Sequence, residues 1–484
     1  MRFVRRDVWA LPSGDTTIEQ YAAAVAVMQS RDTNPEDPTS WAFQAAIHGS
    51  RDKNGQWPWN QCKHASWFFL PWHRMYVWYF EQIVRAAVVQ QHGSADWALP
   101  YWNYGLGGQE ATLPQAFRAP QVNNATNPLY VAARADGMND GTGSIPPDVG
   151  VPAQALQCAS FEGPTQTTPP EFGGGPADPT VQFSSWTGVL ENTPHNIVHD
   201  LVGGQGLMSD PDTAAQDPIF WLHHANVDRI WNQWANAAAT HKAPTEGNWT
   251  SQSFRFFDAN GAEVSLTCAE VVVLAKQLDY EYAPPLAARP APARPRRPFQ
   301  EAAVAAGGDG GAKPTMHLVG GSHTPTELAG SPEQVTVDID ERASQSMLSA
   351  AGVQQPRRVF LTVQEIESER DPGTPYGIYV NLPDGAPPDT AASHYAGSLS
   401  FFGATRARHP KSDEPPHSLT ITHDITNVVR ALTEQGAWDG RHVTVTFRPI
   451  GLVPQDQPNL MHASDAPSRP HPPVTIGRVS IFYA

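Results

Sequence analysis

The pattern of hydrophobic and polar positions changes character along the chain. In the first part, apolar residues recur at helical spacing over residues 18–31, behind Thr16 and Glu19 at the spacing of a capping box. Residues 68–87 are apolar and nearly free of helix breakers. In the second part, alternating β-branched and polar residues predict short strands. The pattern predicts a multidomain α+β protein, a mainly α domain followed by a jelly-roll-like β-sandwich, with strands at 335–339, 358–363, 418–422, 442–447 and 474–482.

Composition divides the chain in the same way. Fourteen of the 15 Trp lie between Trp9 and Trp249, and only Trp438 lies beyond them. Residues 283–314 are rich in Pro, Ala and Arg and end in a glycine cluster, which favours extended, solvated backbone. We therefore expect an α domain over 1–282, a linker over 283–314 that a trypsin-like protease cuts, and a β domain over 315–484.

Charge and hydropathy narrow the range of partners. The chain has 484 residues, with 32 Lys and Arg against 48 Asp and Glu, so its formal charge is −16. A nucleic-acid partner is not expected of so acidic a chain. No apolar run approaches the roughly 18 residues that a membrane span needs, so no membrane partner is expected either. The apolar run that follows Arg5 and Arg6 is too short for a signal core, which predicts a cytoplasmic location for the chain as written; export with a partner, or earlier trimming, is the alternative.

Histidines provide the strongest chemical signal. Nine of the 18 precede the linker, and six of those form two groups of three. Thr193 and Pro194 predict a helix start that places His195 and His199 on one face at i, i+4. A second helix, predicted to begin at Asp217 and Pro218, supplies a third imidazole. The first group is His48, His64 and His73; the second is His195, His199 and one of the pair His223 and His224.

Three neutral imidazoles at each site, with no ligand carboxylate in the pattern, suit copper or zinc and leave a position open for an exogenous ligand. Phe69 lies four residues before His73 and Phe220 lies four before His224, so the two groups share a Phe-x-x-x-His element. This weak internal symmetry indicates two equivalent metal sites, between which O₂ could bind. A dinuclear zinc hydrolase is disfavoured, because it would require ligand or bridging carboxylates.

Three segments resemble the tyrosinase and polyphenol oxidase family, the type 3 copper proteins that include catechol oxidases and haemocyanins. They are CKHASWFFLPWHR at 62–74, ENTPHNIVH at 191–199 and DPIFWLHHANVDR at 217–229, and YEY at 280–282 resembles the tyrosine motif that closes the family's catalytic domain. The resemblance implies a four-helix bundle that holds two copper ions.

Position by position, the resemblance implies the ligands. His48, His64 and His73 would bind the first copper, and His195, His199 and His224 the second. Helical periodicity also places His224 on the same face as Phe220 and Asp228. The residues expected to support the ligands are Phe69, Phe220, His223 and Asp228.

The implied reaction uses O₂ to oxidise a phenolic substrate to an o-quinone, with water as the other product. Glu191 and Asn196 match the family positions that hold a water proposed to take the phenolic proton. Cys62 matches a cysteine that forms a thioether to histidine in some members, here to His64. Cys158 and Cys268 are left over, and the sequence does not say whether they pair.

The second half resembles the covering domain of latent family members. Residues 396–403 read AGSLSFFG, and either Phe401 or Phe402 is a candidate plug over the coppers. The expected function is a latent phenol oxidase that acts on monophenols and o-diphenols. The alternatives are a catechol or o-aminophenol oxidase without monophenolase activity and a haemocyanin-like O₂ carrier.

Overall fold

A computed structural model describes residues 3–163, 165–277, 280–284, 315–340, 342, 358–386, 393–409, 418–438, 440–455 and 471–484. Of the predicted linker 283–314, all but residues 283 and 284 lie outside the described residues. Within the described part, no helix combines the length and apolar composition that crossing a membrane requires.

Helices dominate the described residues before the linker. The longest, α3, has an almost wholly buried surface over its first four turns, which explains its continuous apolar sequence. Short 3₁₀ turns connect several of the others. The helices are α1 Thr17–Ser30, α2 Trp41–His48, α3 Phe69–Gln90, α4 Pro147–Gly150, α5 Ala153–Gln157, α6 Ile197–Gly203, α7 Ile219–Ala237, α8 Gly247–Thr250 and α9 Cys268–Gln277.

The start of α1 corrects one prediction. The helix lies within one residue of the predicted range, but Thr16 makes no side-chain cap hydrogen bond, so the predicted capping box is wrong. The carboxylate of Asp15 accepts a hydrogen bond from the backbone N–H of Thr17 at 2.9 Å instead. An acidic residue one position earlier thus satisfies a free N–H of the first turn.

Aromatic packing and a buried charge network hold the helices together. The rings of Phe80 and Trp221 stack face to face and join α3 to α7. Asp228 on α7 accepts hydrogen bonds from Arg74 on α3 at 2.5 Å and from Arg5 at 3.2 Å. Burial alone would raise the pKa of Asp228, but these two guanidinium groups hold it below its usual value. The network fixes α7 against α3.

The ends of this half meet in a small parallel sheet. Strand β1, Phe3–Arg5, pairs with β7, Tyr280–Tyr282, and the hydroxyls of Tyr280 and Tyr282 donate to Asp228 at 2.8 and 2.5 Å. The tyrosine motif thereby joins the charge network. The other short strands here are β2 Gln121–Val122, β3 Ala125–Thr126, β4 Gly143–Ser144, β5 Ser253–Phe257 and β6 Glu263–Thr267.

After the linker, strands form one nine-stranded sheet in the order β13-β12-β15-β10-β8-β17-β11-β14, with β9 also paired to β17. All five predicted strands are present, as β10, β11, β14, β15 and β17. Gly397 of β13 lies against the ring of His423 of β14, so the two edge strands of the sheet meet. The sheet is therefore strongly curved. The strands are β8 His317–Gly321, β9 Thr326–Leu328, β10 Glu333–Ile339, β11 Val359–Ser368, β12 Tyr376–Val380, β13 Tyr395–Leu399, β14 Leu419–Asp424, β15 His442–Pro449, β16 Val453–Pro454 and β17 Val474–Tyr483, with helices α10 Ala404–Arg408 and α11 Thr426–Glu434.

The β part packs directly on the α part. Strand β16 pairs with β4, and the Ser144 hydroxyl donates to the carbonyl of Val453 at 3.1 Å. The hydroxyl of Ser400 donates to Asp200 at 2.6 Å, next to the predicted ligand His199. Because Ser400 lies in the segment after β13, this segment sits at the mouth of the histidine site.

Candidate dinuclear metal site

The first group of histidines is assembled from two helices and a loop. His48 is the last residue of α2, and His73 lies in the second turn of α3. His64 lies in the intervening loop, where its backbone pairs in parallel with that of Phe183. The ring centroids of the three histidines lie 5.0–5.5 Å apart.

The second group comes from consecutive turns and a facing helix. Thr193 has extended backbone angles inside a π-helical turn, Glu191–Asn196, and Pro194 follows it. His195 lies in this turn and His199 in α6, while His224 lies on α7. The Nε2 atoms of His195 and His199 each lie 3.4 Å from Nε2 of His224, which confirms that the i, i+4 pair shares one face.

Four of these rings are oriented by an acceptor at Nδ1. Nδ1 of His48 lies 3.0 Å from the carbonyl of Pro211, and Nδ1 of His73 lies 2.9 Å from that of Phe69. Nδ1 of His195 lies 2.7 Å from Oδ1 of Asn196, and Nδ1 of His199 lies 2.7 Å from the carbonyl of Met208. A carbonyl accepts only, so each Nδ1 carries the proton and each Nε2 presents a lone pair to the site.

Those lone pairs have no adequate protein partner. Nε2 of His48 and of His73 are buried with no hydrogen-bond partner among the described residues. Nε2 of His195 and Nε2 of His199 both face Nε2 of His224, which can offer one proton at most. A cation among each set would satisfy all of these atoms, so the residues present fit two metal ions.

Burial keeps the imidazoles neutral. It lowers the pKa of His48 to about 3 and the pKa values of His64, His73, His195, His199 and His224 well below the usual value, with mutual repulsion among the rings adding to the effect for most of them. Neutral imidazole is the form that binds a metal. Burying the unpaired nitrogens of six such rings in one cavity costs free energy unless a metal ion binds them.

The adjacent histidines His223 and His224 are distinguished by their partners. Nδ1 of His223 lies 3.1 Å from the hydroxyl of Tyr104. His224 instead stacks on His73 at 4.5 Å between centroids. Ring nitrogens of both lie within 4.8 Å of those of His195 and His199, so proximity alone would admit either one. The converging Nε2 atoms favour His224.

Both predicted phenylalanines lie between the two groups. Phe69 contacts His73 and His195, each at 4.6 Å between ring centroids. Phe220 contacts His48 at 5.0 Å and His224 at 4.2 Å. Each ring therefore touches at least one histidine from each group and fills the space around the two metal positions.

Glu191 and Asn196 begin and end the turn that carries His195. Oε1 of Glu191 accepts a hydrogen bond from the backbone N–H of Ala65 at 2.6 Å, while Oε2 is buried with no partner among the described residues. Burial raises the pKa of Glu191 to about 8. Asn196 is buried and orients His195 through the contact at Nδ1.

Cys62 lies beside the first group. Its Sγ is within 4.8 Å of the ring nitrogens of His48 and His64, and burial raises its pKa to about 12. Nε2 of Gln182 donates to this sulfur at 3.0 Å. Cys158 and Cys268 are not bonded to each other; the structure contains three free cysteines.

Of the two candidate plug residues, only Phe402 reaches the site. Its ring stacks on His199 with centroids 4.2 Å apart and planes at 22°, and its edge contacts His64 at 5.6 Å and His195 at 5.8 Å. Phe401 packs instead against Tyr376 inside the β domain. The structure thus separates two neighbours that the sequence left as equal candidates.

Two residues around the site were not predicted from sequence: Arg406, which attaches the β domain, and Phe183, which packs on His64. Arg406 on α10 makes an ion pair with Asp212 and donates to Oδ1 of Asn60 at 2.9 Å. Phe183 stacks on His64 at 4.6 Å between centroids. Neither residue belongs to a sequence motif or a spacing pattern. The only sequence signal was the position of Arg406 shortly after the AGS segment.

Comparison with known proteins agrees with this geometry. Residues 38–237 match the model of the common central domain of tyrosinase, and residues 315–484 match a domain of unknown function, DUF7868. The tyrosinase HcTyr1 of Hahella sp. (strain CCB-MM4) is 31% identical, covering 99% of this chain and 98% of that protein. The latent polyphenol oxidase of Prunus armeniaca is 26% identical over 90% of this chain and 72% of its own length.

Solved structures show the same fold. Latent apple tyrosinase aligns over 100% of this chain and 97% of its own, with a TM-score of 0.61 at 22% identity. Latent aurone synthase aligns over 100% and 89%, with a TM-score of 0.62 at 21% identity. Both support a helical core followed by a β domain.

A helical core that gathers six neutral histidines around two metal positions defines a dinuclear type 3 copper protein. The chain belongs to the tyrosinase family. It is a copper-dependent phenol oxidase, with two copper ions as its cofactor and phenols and O₂ as its substrates.

Proposed function

We propose that this oxidase both hydroxylates monophenols and oxidises o-diphenols to o-quinones, and that the intact chain is latent. The observation that carries the proposal is the position of Phe402, whose ring lies against ligand candidates of both groups. A phenol needs the same flat apolar space beside the metals. Phe402 and substrate therefore exclude each other.

In this proposal, His48, His64 and His73 hold one copper, and His195, His199 and His224 hold the other. The bound coppers supply the activation of O₂ and its electron transfer. The protein contributes ring orientation through the acceptors at Nδ1 and a cavity closed to bulk water. Phe69 and Phe220 pack against rings of both sets, while Asp228 fixes α7 against α3 through Arg74.

Monophenolase activity requires removal of a phenolic proton. With a phenol pKa of about 10, deprotonation at neutral pH costs about 4 kcal/mol. We propose that a water held by Glu191 and Asn196 takes this proton, since Oε2 of Glu191 is buried and has no partner among the described residues. The pKa of about 8 belongs to the chain without metal; nearby cations favour the carboxylate.

Latency follows from how the plug is held. Ser400 donates to Asp200, the side-chain amide of Asn192 donates to the carbonyl of Ser398 at 3.2 Å, and Arg406 pairs with Asp212. These contacts flank Phe402 on both sides. A protease that cuts the linker within 283–314 would leave these contacts and the pairing of β16 with β4 intact, so cleavage activates only when the β domain then dissociates.

A finer description of the fold accompanies the proposal. Helices α2, α3, α6 and α7 carry or adjoin the ligand candidates, which supports a four-helix bundle around the metals. The meeting of the edge strands supports a jelly-roll-like arrangement of the β domain. The division into 1–282, 283–314 and 315–484 remains the domain proposal.

The direct test is O₂ uptake by copper-loaded protein with a monophenol and with a catechol, before and after linker cleavage and removal of the C-terminal fragment. Uptake with both substrates, rising on removal, is expected. Uptake with catechol or an o-aminophenol alone would replace the proposal with a plain catechol or o-aminophenol oxidase. Reversible O₂ binding without turnover in either state would indicate a haemocyanin-like carrier.

A further inference from the structure

Phe183 contacts the first histidine group from outside every recognised motif. Its ring stacks on the imidazole of His64 with centroids 4.6 Å apart and planes at only 10°. The side chain is 3% exposed. Among the described phenylalanines of the site, none lies so nearly parallel to a histidine: Phe402 meets His199 at 22°, and Phe69 and Phe402 meet the His64 ring at 41° and 69°.

His64 differs from most of the other ligand candidates in what orients it. Neither of its ring nitrogens has a hydrogen-bond partner among the described residues. Four of the other rings are fixed by an acceptor at Nδ1. The remaining one, His224, likewise has an unpartnered Nδ1, and it stacks on His73 at 4.5 Å and 10°. The two imidazoles that lack a hydrogen bond at Nδ1 within the described part of the chain, those of His64 and His224, are thus each stacked on a parallel ring.

The backbone holds Phe183 in register with His64. The N–H of His64 donates to the carbonyl of Gln182 at 2.9 Å, and the N–H of Ser184 donates to the carbonyl of His64 at 3.1 Å. This parallel bridge makes the two side chains lateral neighbours. The stacked pair is therefore built by the α domain alone.

The covering domain reaches the same ring. Gly403, one residue after Phe402, has φ of +84°, and a Cβ at this position would overlap the ring of Phe183. Phe183 thus contacts both His64 and the plug segment. Because its register is set by Gln182 and Ser184, departure of the plug leaves the stack on His64 in place.

We propose that Phe183 is a positioning residue that fixes the plane of the His64 imidazole for the first copper. The proposal rests on His64 being a copper ligand, as proposed above. A ring held by stacking needs no hydrogen bond to stay aligned, and residues that orient a ligand typically contribute about 10–100-fold to metal affinity. Loss of the aromatic face should weaken one copper of the two.

The test is copper titration of the metal-free full-length chain against a competing chelator, comparing wild type with Phe183→Leu. We expect one of the two coppers to bind about 10–100-fold more weakly in the variant, and Phe183→Tyr, which keeps the ring, to restore the wild-type value. The matched control is Phe161→Leu, since Phe161 is equally buried but packs against Phe172 and tryptophans rather than histidines. The control should retain both affinities while showing a similar loss of thermal stability.

Unchanged affinities in Phe183→Leu would overturn the proposal, as would equal weakening in Phe161→Leu. If the leucine variant does not fold, Phe183→Met replaces it, because methionine has similar volume but no ring face, and the same expectations apply. A wild-type chain that binds fewer than two coppers would count against the copper assignment itself rather than against Phe183.

Discussion

The two histidine groups do the same chemistry but are built differently. In the second, His195 and His199 share one stretch of helical turns, and their Nε2 atoms converge on His224 from the facing helix. In the first, His48 ends one helix, His73 lies in the second turn of another, and His64 lies in a loop without a hydrogen bond to its ring among the described residues. Local sequence thus specifies the second group, whereas tertiary contacts specify the first.

The difference between the two histidine groups is tested most directly by replacing the adjacent histidines His223 and His224, one at a time. His224→Ala removes the atom on which two Nε2 lone pairs converge, so we expect one copper to be lost and oxidase activity to fall below detection. His223→Ala removes a ring that contacts Tyr104, and it should retain two coppers. Copper per chain, measured by elemental analysis, checks both. Equal copper loss in the two variants would show that the orientation of the pair is misassigned.

Glu191 bridges the groups, since it lies before His195 and binds the backbone next to His64. Glu191→Gln preserves the contact with the N–H of Ala65 but removes the base. Because general bases contribute about 10²–10⁴-fold, we expect monophenol oxidation to fall by roughly 10²-fold or more, with catechol oxidation changed far less. Parallel initial-rate measurements on the activated protein check this. An equal fall for both substrates would mean that Glu191 supports copper rather than the proton.

The plug residue Phe402 contacts the second histidine group more closely than the first, because its ring stacks on His199 but meets His64 only by its edge. Burying a phenylalanine ring contributes about 1.5–3 kcal/mol, so Phe402→Ala should raise catechol oxidation by the uncleaved chain roughly 10- to 100-fold. Phe401→Leu is the control, because that ring packs within the β domain. Initial rates at matched copper content provide the readout, and an unchanged rate in Phe402→Ala would rule out this residue as the plug.

The smallest expected effect concerns the first group alone. A thioether from Cys62 to His64 would covalently fix His64, the ligand candidate that lies in a loop. The crosslinked peptide would be lighter by two hydrogen atoms than the form with a free thiol. Peptide mass mapping of copper-loaded, oxygen-exposed protein measures this directly. Cys62→Ser should retain activity within a few-fold, because stacking on Phe183 still orients His64. A full-mass peptide would show that no crosslink forms.

The contrast also explains what could be predicted from sequence. The shared face of His195 and His199 follows from a helix start and spacing, and the five strands of the β domain follow from alternation. The choice of His224 over His223 required the family resemblance together with helical periodicity. The capping box predicted at Thr16 does not form, and the first turn is capped instead by Asp15, which accepts from the N–H of Thr17. Phe183 and Arg406 escaped prediction because their roles depend on loops that approach from distant parts of the chain.

The choice between Phe401 and Phe402 shows the same limit. Both rings are apolar neighbours in one segment, and sequence alone assigns them equal roles. The direction of each side chain depends on how the segment after β13 leaves the sheet, with Gly403 at φ of +84° immediately behind it. Only the packed structure shows that one ring enters the metal site and the other enters the β domain.

The most direct test of the account is anomalous diffraction at the copper edge from crystals of the copper-loaded, uncleaved chain. The account predicts two copper peaks, one bounded by His48, His64 and His73 and the other by His195, His199 and His224, with the ring of Phe402 beside them. A single copper peak, a copper bound by His223 in place of His224, or a Phe402 ring that lies away from the copper positions would contradict it.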